Sequence, residues 1–241
     1  MSGAQRFHRP RTTGDKTPWT SVLFDFGGTL DADGIPWKER FFRLYRDEGV
    51  EVSAEKFDQA FYAADDALVG AIPVTLPLWD TVMRLVGGVT HTLDLQDGML
   101  AERIAKRFVD DARDRLSTNA QLLELLSHRY RLGIVSNFYG NLATICHEVG
   151  LSPFLTVVVD SAHVGCVKPD PRIFLLALEA LRTDPPQAVF VGDSLRRDMA
   201  GARGIGMAHI WLTCETSPGE GVCCPNDPVV HTLKGVRELL L

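Results

Sequence analysis

Four short segments of this 241-residue chain carry residues able to handle a phosphate beside a divalent ion. Asp25-Phe26-Gly27-Gly28-Thr29-Leu30 sets a carboxylate at the head of a glycine turn. Ser136-Asn137 adds a hydroxyl, and Val167-Lys168-Pro169-Asp170 adds a lysine. Val191-Gly192-Asp193-Ser194, with Asp198 close behind, adds two more carboxylates. A hard cation such as Mg²⁺ takes oxygen ligands, and it is held by one or two carboxylates together with water and substrate oxygens. A lysine and a hydroxyl can then meet the remaining charge of a phosphoryl group.

Each piece alone has a plainer reading. Gly27-Gly28 is a tight turn, Lys168 a surface lysine, and Asp193 or Asp198 a helix cap. Asp25-Phe26-Gly27 copies the metal-binding tripeptide of protein kinases, but no glycine-rich loop, strand lysine or H-R-D accompanies it in kinase order. What makes the pieces a set is the element each one follows. Strands are expected at Ser21–Asp25, Leu132–Ser136, Leu155–Asp160, Ala188–Gly192 and Met207–Leu212. Four are apolar on both faces, as buried parallel strands are. The last is mixed in character and belongs nearer an edge. Helices separate them. Thr118 with Gln121 reads as a capping box opening a helix. Asp170-Pro171 opens another over Ile173–Leu181, and Gly204 or Gly206 closes one that begins near Arg196. This alternation implies an α/β fold with a doubly wound parallel sheet, whose ligands bind beyond the carboxyl ends of the strands. The chemistry-bearing segments fall at those ends.

One interval breaks the alternation. About 100 residues separate the first two strands, far more than a crossover needs. From Ile35 to Arg115 the pattern is helical, with aromatic stripes that suit the core of a small bundle rather than a cofactor pocket. The expected division is therefore a core over 20–34 and 116–241, a helical insert over 35–115, and a loose extension over 1–19.

The formal net charge of −6 lacks the basic footprint of a nucleic-acid binder. No apolar run reaches membrane-spanning length, and the polar N-terminus is no secretory signal. Five scattered cysteines suit reduced thiols in the cytoplasm. Cys214, Cys223 and Cys224 lack both C-x-x-C spacing and a fourth ligand for zinc. The expected partner is a small phosphorylated molecule, with neither nucleic acid nor membrane.

Taken together, VLFDFGGTL, IVSN, VKPDP and VFVGDSLRRD resemble the signature of the haloacid dehalogenase superfamily, and the resemblance runs from Ser21 to Leu241. It implies a Rossmann-like core with a C1-type helical cap inserted after the first strand. It also implies phosphatase activity, the commonest in the family. By this resemblance Asp25 is the nucleophile that forms an aspartyl phosphate. Ser136, Lys168 and backbone N–H groups near Gly28 and Asn137 hold the phosphoryl oxygens. Mg²⁺ is bound by Asp25, Asp193 and the carbonyl of Gly27, while Asp198 acts through water or by holding Lys168.

Gly27 departs from the pattern, because family phosphatases carry there a second Asp that serves as acid and base. General acid–base catalysis is worth ~10²–10⁴ in rate. Asp31 or Asp33 could replace it by swinging over the site, although Asp31-Ala32-Asp33-Gly34 also reads as an ordinary turn. Gly27→Asp is then expected to raise turnover on alkyl phosphates. The resemblance leaves two other chemistries open, dehalogenation without metal and phosphonate hydrolysis through a cap lysine (Lys38, Lys56 or Lys106), besides a non-catalytic phosphate-binding role. Trp37 and Arg40, past the hinge, are candidates for touching substrate. His163 reads as a loop histidine.

Overall fold

The computed structural model describes residues 19–214 and 227–241. The N-terminal basic residues and the Cys223-Cys224 pair lie outside them. Six strands form one parallel sheet in the order β3-β2-β1-β4-β5-β6: β1 (Ser21–Phe24), β2 (Arg131–Ser136), β3 (Val157–Asp160), β4 (Ala188–Gly192), β5 (Ala208–Leu212) and β6 (Val229–Val230). β1 and β4 are buried along their whole length, because helices cover both faces. β6, two residues long, was not anticipated; it pairs with β5 and takes the edge position expected of that mixed strand.

Register sets the site. Phe24 pairs with Ile134 on one side and with Val191 on the other. The Asp25 N–H then continues the ladder to the Val191 carbonyl at 2.9 Å. Asp25, Ser136 and the Gly192-Asp193 step therefore emerge together at the carboxyl edge, where β1 sits between β2 and β4.

Four helices fill the interval after β1: α1 (Trp37–Asp47), α2 (Ala54–Leu68), α3 (Leu78–Thr92) and α4 (Leu100–Ser127). Their aromatic stripes pack together, with Phe41 stacked on Phe108 at 4.1 Å. The Tyr45 hydroxyl donates to the Val86 carbonyl at 3.0 Å. The expected break at Thr118 does not occur. α4 runs 28 residues through positions 115 and 118, and Thr118 Oγ1 bonds back to the Asp114 carbonyl at 3.1 Å. No Gly or Pro interrupts this stretch, and buried Ala112, Leu116, Leu122 and Leu123 continue one apolar face, so the helix has no reason to stop.

The remaining helices cover the sheet: α5 (Leu142–Glu148), α6 (Ser161–Val164), α7 (Pro171–Ala180), α8 (Ala200–Gly204) and α9 (Leu233–Leu240). Asp170 caps α7 by accepting from the Arg172 N–H. The cap rests on the loop after β2. Gly70 N–H donates to the Tyr139 carbonyl at 3.1 Å, and Asn141 Nδ2 donates to the Leu76 carbonyl at 2.8 Å. One apolar cluster runs from Val22 and Phe24 through Phe26 and Trp37 into the helices. Among the described residues no helix is long and apolar enough to cross a membrane.

Candidate active site

Asp25 Oδ1 accepts from Ser136 Oγ at 2.7 Å and lies 2.7 Å from Lys168 Nζ. Lys168 Nζ also lies 2.7 Å from Asp198 Oδ1, and Asp198 Oδ2 accepts from the Ser194 N–H at 2.9 Å. Asp198 thus holds Lys168 from behind. Asn137 positions the same lysine through its backbone: Oδ1 accepts from the Lys168 N–H at 2.7 Å, and Nδ2 donates to the Lys168 carbonyl at 3.2 Å. The Asn137 side chain is therefore committed to Lys168, which leaves only its backbone to meet a phosphate.

Asp193 completes the cluster from the other side. Thr29 Oγ1 donates to its Oδ1 at 3.0 Å, and Trp211 Nε1 donates to its carbonyl at 2.9 Å. Two glycines make room. Gly28 has φ +89°, and a Cβ there would stand 2.8 Å from Asp193 Oδ2. A Cβ on Gly192 would stand 2.5 Å from Asp198 Oδ2. Any side chain at either position displaces a carboxylate.

Carboxylate oxygens of Asp25, Asp193 and Asp198 all lie within 4.8 Å of one another. Burial, then the charges of Asp25 and Asp198, push the Asp193 carboxyl well above its ordinary range. Burial also raises Asp198, against the pull of Lys168. For Lys168, burial lowers the pKa, but the charges of Asp198 and Asp25 prevail and raise it. Three acids around one ammonium make a site short of positive charge. An all-oxygen donor set suits a hard cation, so the residues present fit Mg²⁺.

A pH effect follows. Without metal, folded Asp193 holds a proton that the unfolded chain loses near pH 4, so the folded state binds more protons and stability falls as pH rises through the raised pKa. A cation that binds the ionised cluster offsets this loss. We expect Mg²⁺ to raise the melting temperature more at pH 8 than at pH 5. Equal shifts at both pH values in calorimetry would contradict the charge balance described here.

Neither Asp31 nor Asp33 can swing over the site. Asp31 is fully buried and accepts from the Gly28 N–H (2.7 Å), Trp37 Nε1 (2.6 Å) and Arg40 Nη1 (2.6 Å). Asp33 faces Arg115 Nη1 at 3.2 Å and accepts from the Leu233 N–H at 3.1 Å. Three expectations change with this. The Gly28 N–H, expected at a phosphoryl oxygen, is taken by Asp31. Arg40, a candidate for touching substrate or for a core or surface role, bridges Asp31 and Asp111 over the Phe108 ring. Trp37 spends its N–H on Asp31, while its indole lies 3.2 Å from where a Cβ on Gly27 would stand. A side chain at 27 therefore requires Trp37 to give by a few tenths of an ångström. Asp31→Ala strands the buried Arg40 beside a single exposed partner. We expect a loss of about 3 kcal/mol in chemical denaturation, and a variant as stable as the parent would refute this role.

Lys38 does not suit imine chemistry, which needs a neutral amine. Lys38 Nζ sits 2.8 Å from both Asp58 and Glu39, and these bonds raise its pKa in spite of burial. Lys106 pairs with Asp110 on an exposed face, and Lys56 is exposed. His163, in α6 rather than a loop, contacts the Gly140 carbonyl.

Two features escaped the sequence reading. Arg197, just before Asp198, rests its Nε 3.4 Å from Ser194 Oγ, and its Nη atoms make no hydrogen bond among the described residues. Burial lowers its pKa, but the charges of Asp25, Asp198 and Asp193 raise it overall. The second is Tyr139, whose hydroxyl donates to Asp65 on α2. Its ring packs on Phe138, 4.7 Å between centroids.

Residues 19–206 match the model of the haloacid dehalogenase-like hydrolases. The chain belongs to that family. Haloacid dehalogenase-like hydrolase domain-containing protein 3 of Bos taurus is 31% identical over 208 residues, which cover 81% of this chain and 82% of its own. A glyceraldehyde 3-phosphate phosphatase of Methanothermobacter thermautotrophicus is 35% identical over 109 residues, 43% of this chain and 46% of that one. A solved dehalogenase structure with an intermediate complex superposes with a TM-score of 0.64 at 21% identity, covering 94% of this chain and 98% of that one. At that identity the last likeness speaks for the fold alone. This family member is a hydrolase with phosphatase relatives.

Proposed function

We propose that this haloacid dehalogenase-like hydrolase cleaves small-molecule phosphate monoesters in the presence of Mg²⁺, with Asp25 as the nucleophile. The observation that carries the reading is Asp193. A buried, charge-strained carboxyl beside Asp25 and Asp198 serves no purpose in displacing a halide, whereas it is what a cation-dependent phosphate site requires. Asp25, Asp193 and the Gly27 carbonyl would hold the ion, with Asp198 behind them. Once bound, it offsets the repulsion between nucleophile and phosphate dianion.

The chain's own groups do the rest. Ser136 and Lys168 both engage Asp25 Oδ1, which fixes the carboxylate in place and leaves Oδ2 to attack phosphorus. The Asp25–phosphorus bond forms as the ester bond breaks, and water then attacks the aspartyl phosphate to release orthophosphate. Positioning and electrostatics supply most of such catalysis. With the Gly28 N–H engaged, Arg197 supplies the missing phosphate donors through its Nη atoms. Loss of one charge-assisted contact costs about 1.5–3 kcal/mol, so Arg197→Ala should raise KM for the ester by roughly 10- to 150-fold with a smaller change in kcat. An unchanged KM would remove Arg197 from the phosphate site. The net charge of −6 and the buried free thiols Cys146 and Cys166 suit a cytoplasmic enzyme of small molecules. The direct test is a panel of phosphate esters assayed with and without Mg²⁺. Metal-dependent phosphate release supports the reading, and its absence across the panel defeats it.

A further inference from the structure

Asp193 lies one residue past the end of β4, yet it has to keep its carboxylate beside two others, with oxygens of all three within 4.8 Å. Asp25 and Asp198 bear on it with like charge, so an untethered loop after β4 would let the three carboxylates part. Two side chains tether it. Thr29 Oγ1 donates to Oδ1 at 3.0 Å, and Trp211 Nε1 donates to the Asp193 carbonyl at 2.9 Å. Thr29 acts on the carboxylate itself, whereas Trp211 acts on the peptide that carries it.

Trp211 is itself clamped. It pairs with Gly192 of β4 on one side and with Val229 of β6 on the other, and its backbone N–H donates to the Pro228 carbonyl at 3.0 Å. The two-residue β6 thus grips β5 at the residue from which the indole projects. Trp211 is buried in the apolar cluster that also holds Phe174, Phe190 and Met199. A buried indole N–H needs a hydrogen-bond partner, and here that partner is the Asp193 carbonyl.

We propose that Trp211 is a positioning residue for the cation site: its indole N–H anchors the Asp193 peptide so that the carboxylate already stands against Asp25 before an ion arrives. This rests on the reading of a Mg²⁺-dependent phosphatase. Trp211 acts through Asp193 and touches no reacting atom. Opposite it, the Gly28 turn leaves room for Asp193 Oδ2 and for no side chain of its own, since a Cβ there would stand 2.8 Å from that oxygen. With Trp211 on the peptide, Thr29 on Oδ1 and the glycine turn beside Oδ2, the carboxylate is fixed from three directions. Oδ2 accepts no hydrogen bond among the described residues, and it is the oxygen left for the ion.

Trp211→Phe keeps an apolar ring and removes the donor. Groups that orient a metal ligand are worth ~10–100-fold in metal affinity, so the variant should bind Mg²⁺ more weakly by that factor in titration calorimetry. The Mg²⁺ concentration that half-saturates turnover should rise in step, while kcat at saturating Mg²⁺ stays near that of the parent. A second readout needs no variant. In the parent, the Trp211 indole N–H resonance, assigned through the residue's own backbone, should shift as Mg²⁺ is added, with the midpoint of the calorimetric titration. It should do so because the acceptor of its hydrogen bond belongs to a ligand of the ion. An unmoved indole resonance at saturating Mg²⁺, or a folded Trp211→Phe protein that binds Mg²⁺ as tightly as the parent, overturns the role of Trp211 and leaves the phosphatase reading standing. If the variant does not fold, the parent's resonance decides. A parent that binds no Mg²⁺ in calorimetry overturns both.

Discussion

Asp25→Asn should abolish phosphate release, lowering turnover by about 10⁴-fold or more, as the loss of a covalent nucleophile does. The amide is nearly isosteric and can still accept from Ser136, so the fold is expected to survive. It should do more than survive in the absence of metal. Asp25 is the leading charge among those pushing Asp193 upward, and removing it relieves a buried repulsion. We therefore expect the metal-free variant to melt higher than the parent at pH 8, with a smaller response to Mg²⁺. Loss of activity together with loss of folding would point to a structural carboxylate instead.

Lys168→Met carries the second large effect. Lys168 is 3% exposed, and its ammonium is the counter-charge within 2.7 Å of both Asp25 and Asp198. Removing one partner of a buried ion pair leaves an uncompensated charge and costs about 3–5 kcal/mol. We expect that loss in denaturant titration, together with the disappearance of turnover. The penalty arises from stranded carboxylates, so Lys168→Met should cost less when made in the Asp25→Asn protein than when made in the parent. Strict additivity would mean that the lysine and Asp25 do not share the coupling seen here.

The sheet and the site's membership were legible because both are local. A buried parallel strand is a continuous apolar run, and each motif residue directly follows one. Asp25 and Ser136 needed no tertiary information beyond strand order. β6 escaped because two valines carry no period. The false start at Thr118 shows how a capping box competes with an unbroken apolar face: Leu116, Leu122 and Leu123 keep the helix running, and the threonine turns its hydroxyl back to Asp114.

What stayed hidden was how side chains are spent. Asp31 read as a turn residue or a swinging acid beside the hinge, yet it accepts from Trp37 and Arg40 once α1 packs against the Gly27-Gly28 loop. Asp65 lies in an Ala-Ala-Asp-Asp run that reads as a solvated helix face, and its contact is 74 positions away at Tyr139. Arg197 shares a short motif with Asp198, yet it lies among the charges of Asp25, Asp198 and Asp193 with its Nη atoms uncommitted among the described residues, which spacing alone does not reveal. The Asp31 and Asp65 contacts depend on the cap lying over the core, which is set by tertiary packing across the hinge.

A single turnover in H₂¹⁸O, followed by mass analysis of the released phosphate and of the peptide containing Asp25, tests the central claim most directly. The mechanism described here sends water to phosphorus, so the label should appear in orthophosphate and the Asp25 peptide should stay unlabelled. Label in the Asp25 side chain would mean that water attacks the carbonyl carbon of an Asp25 ester, as in displacement at carbon, and would contradict phosphoryl transfer at this site.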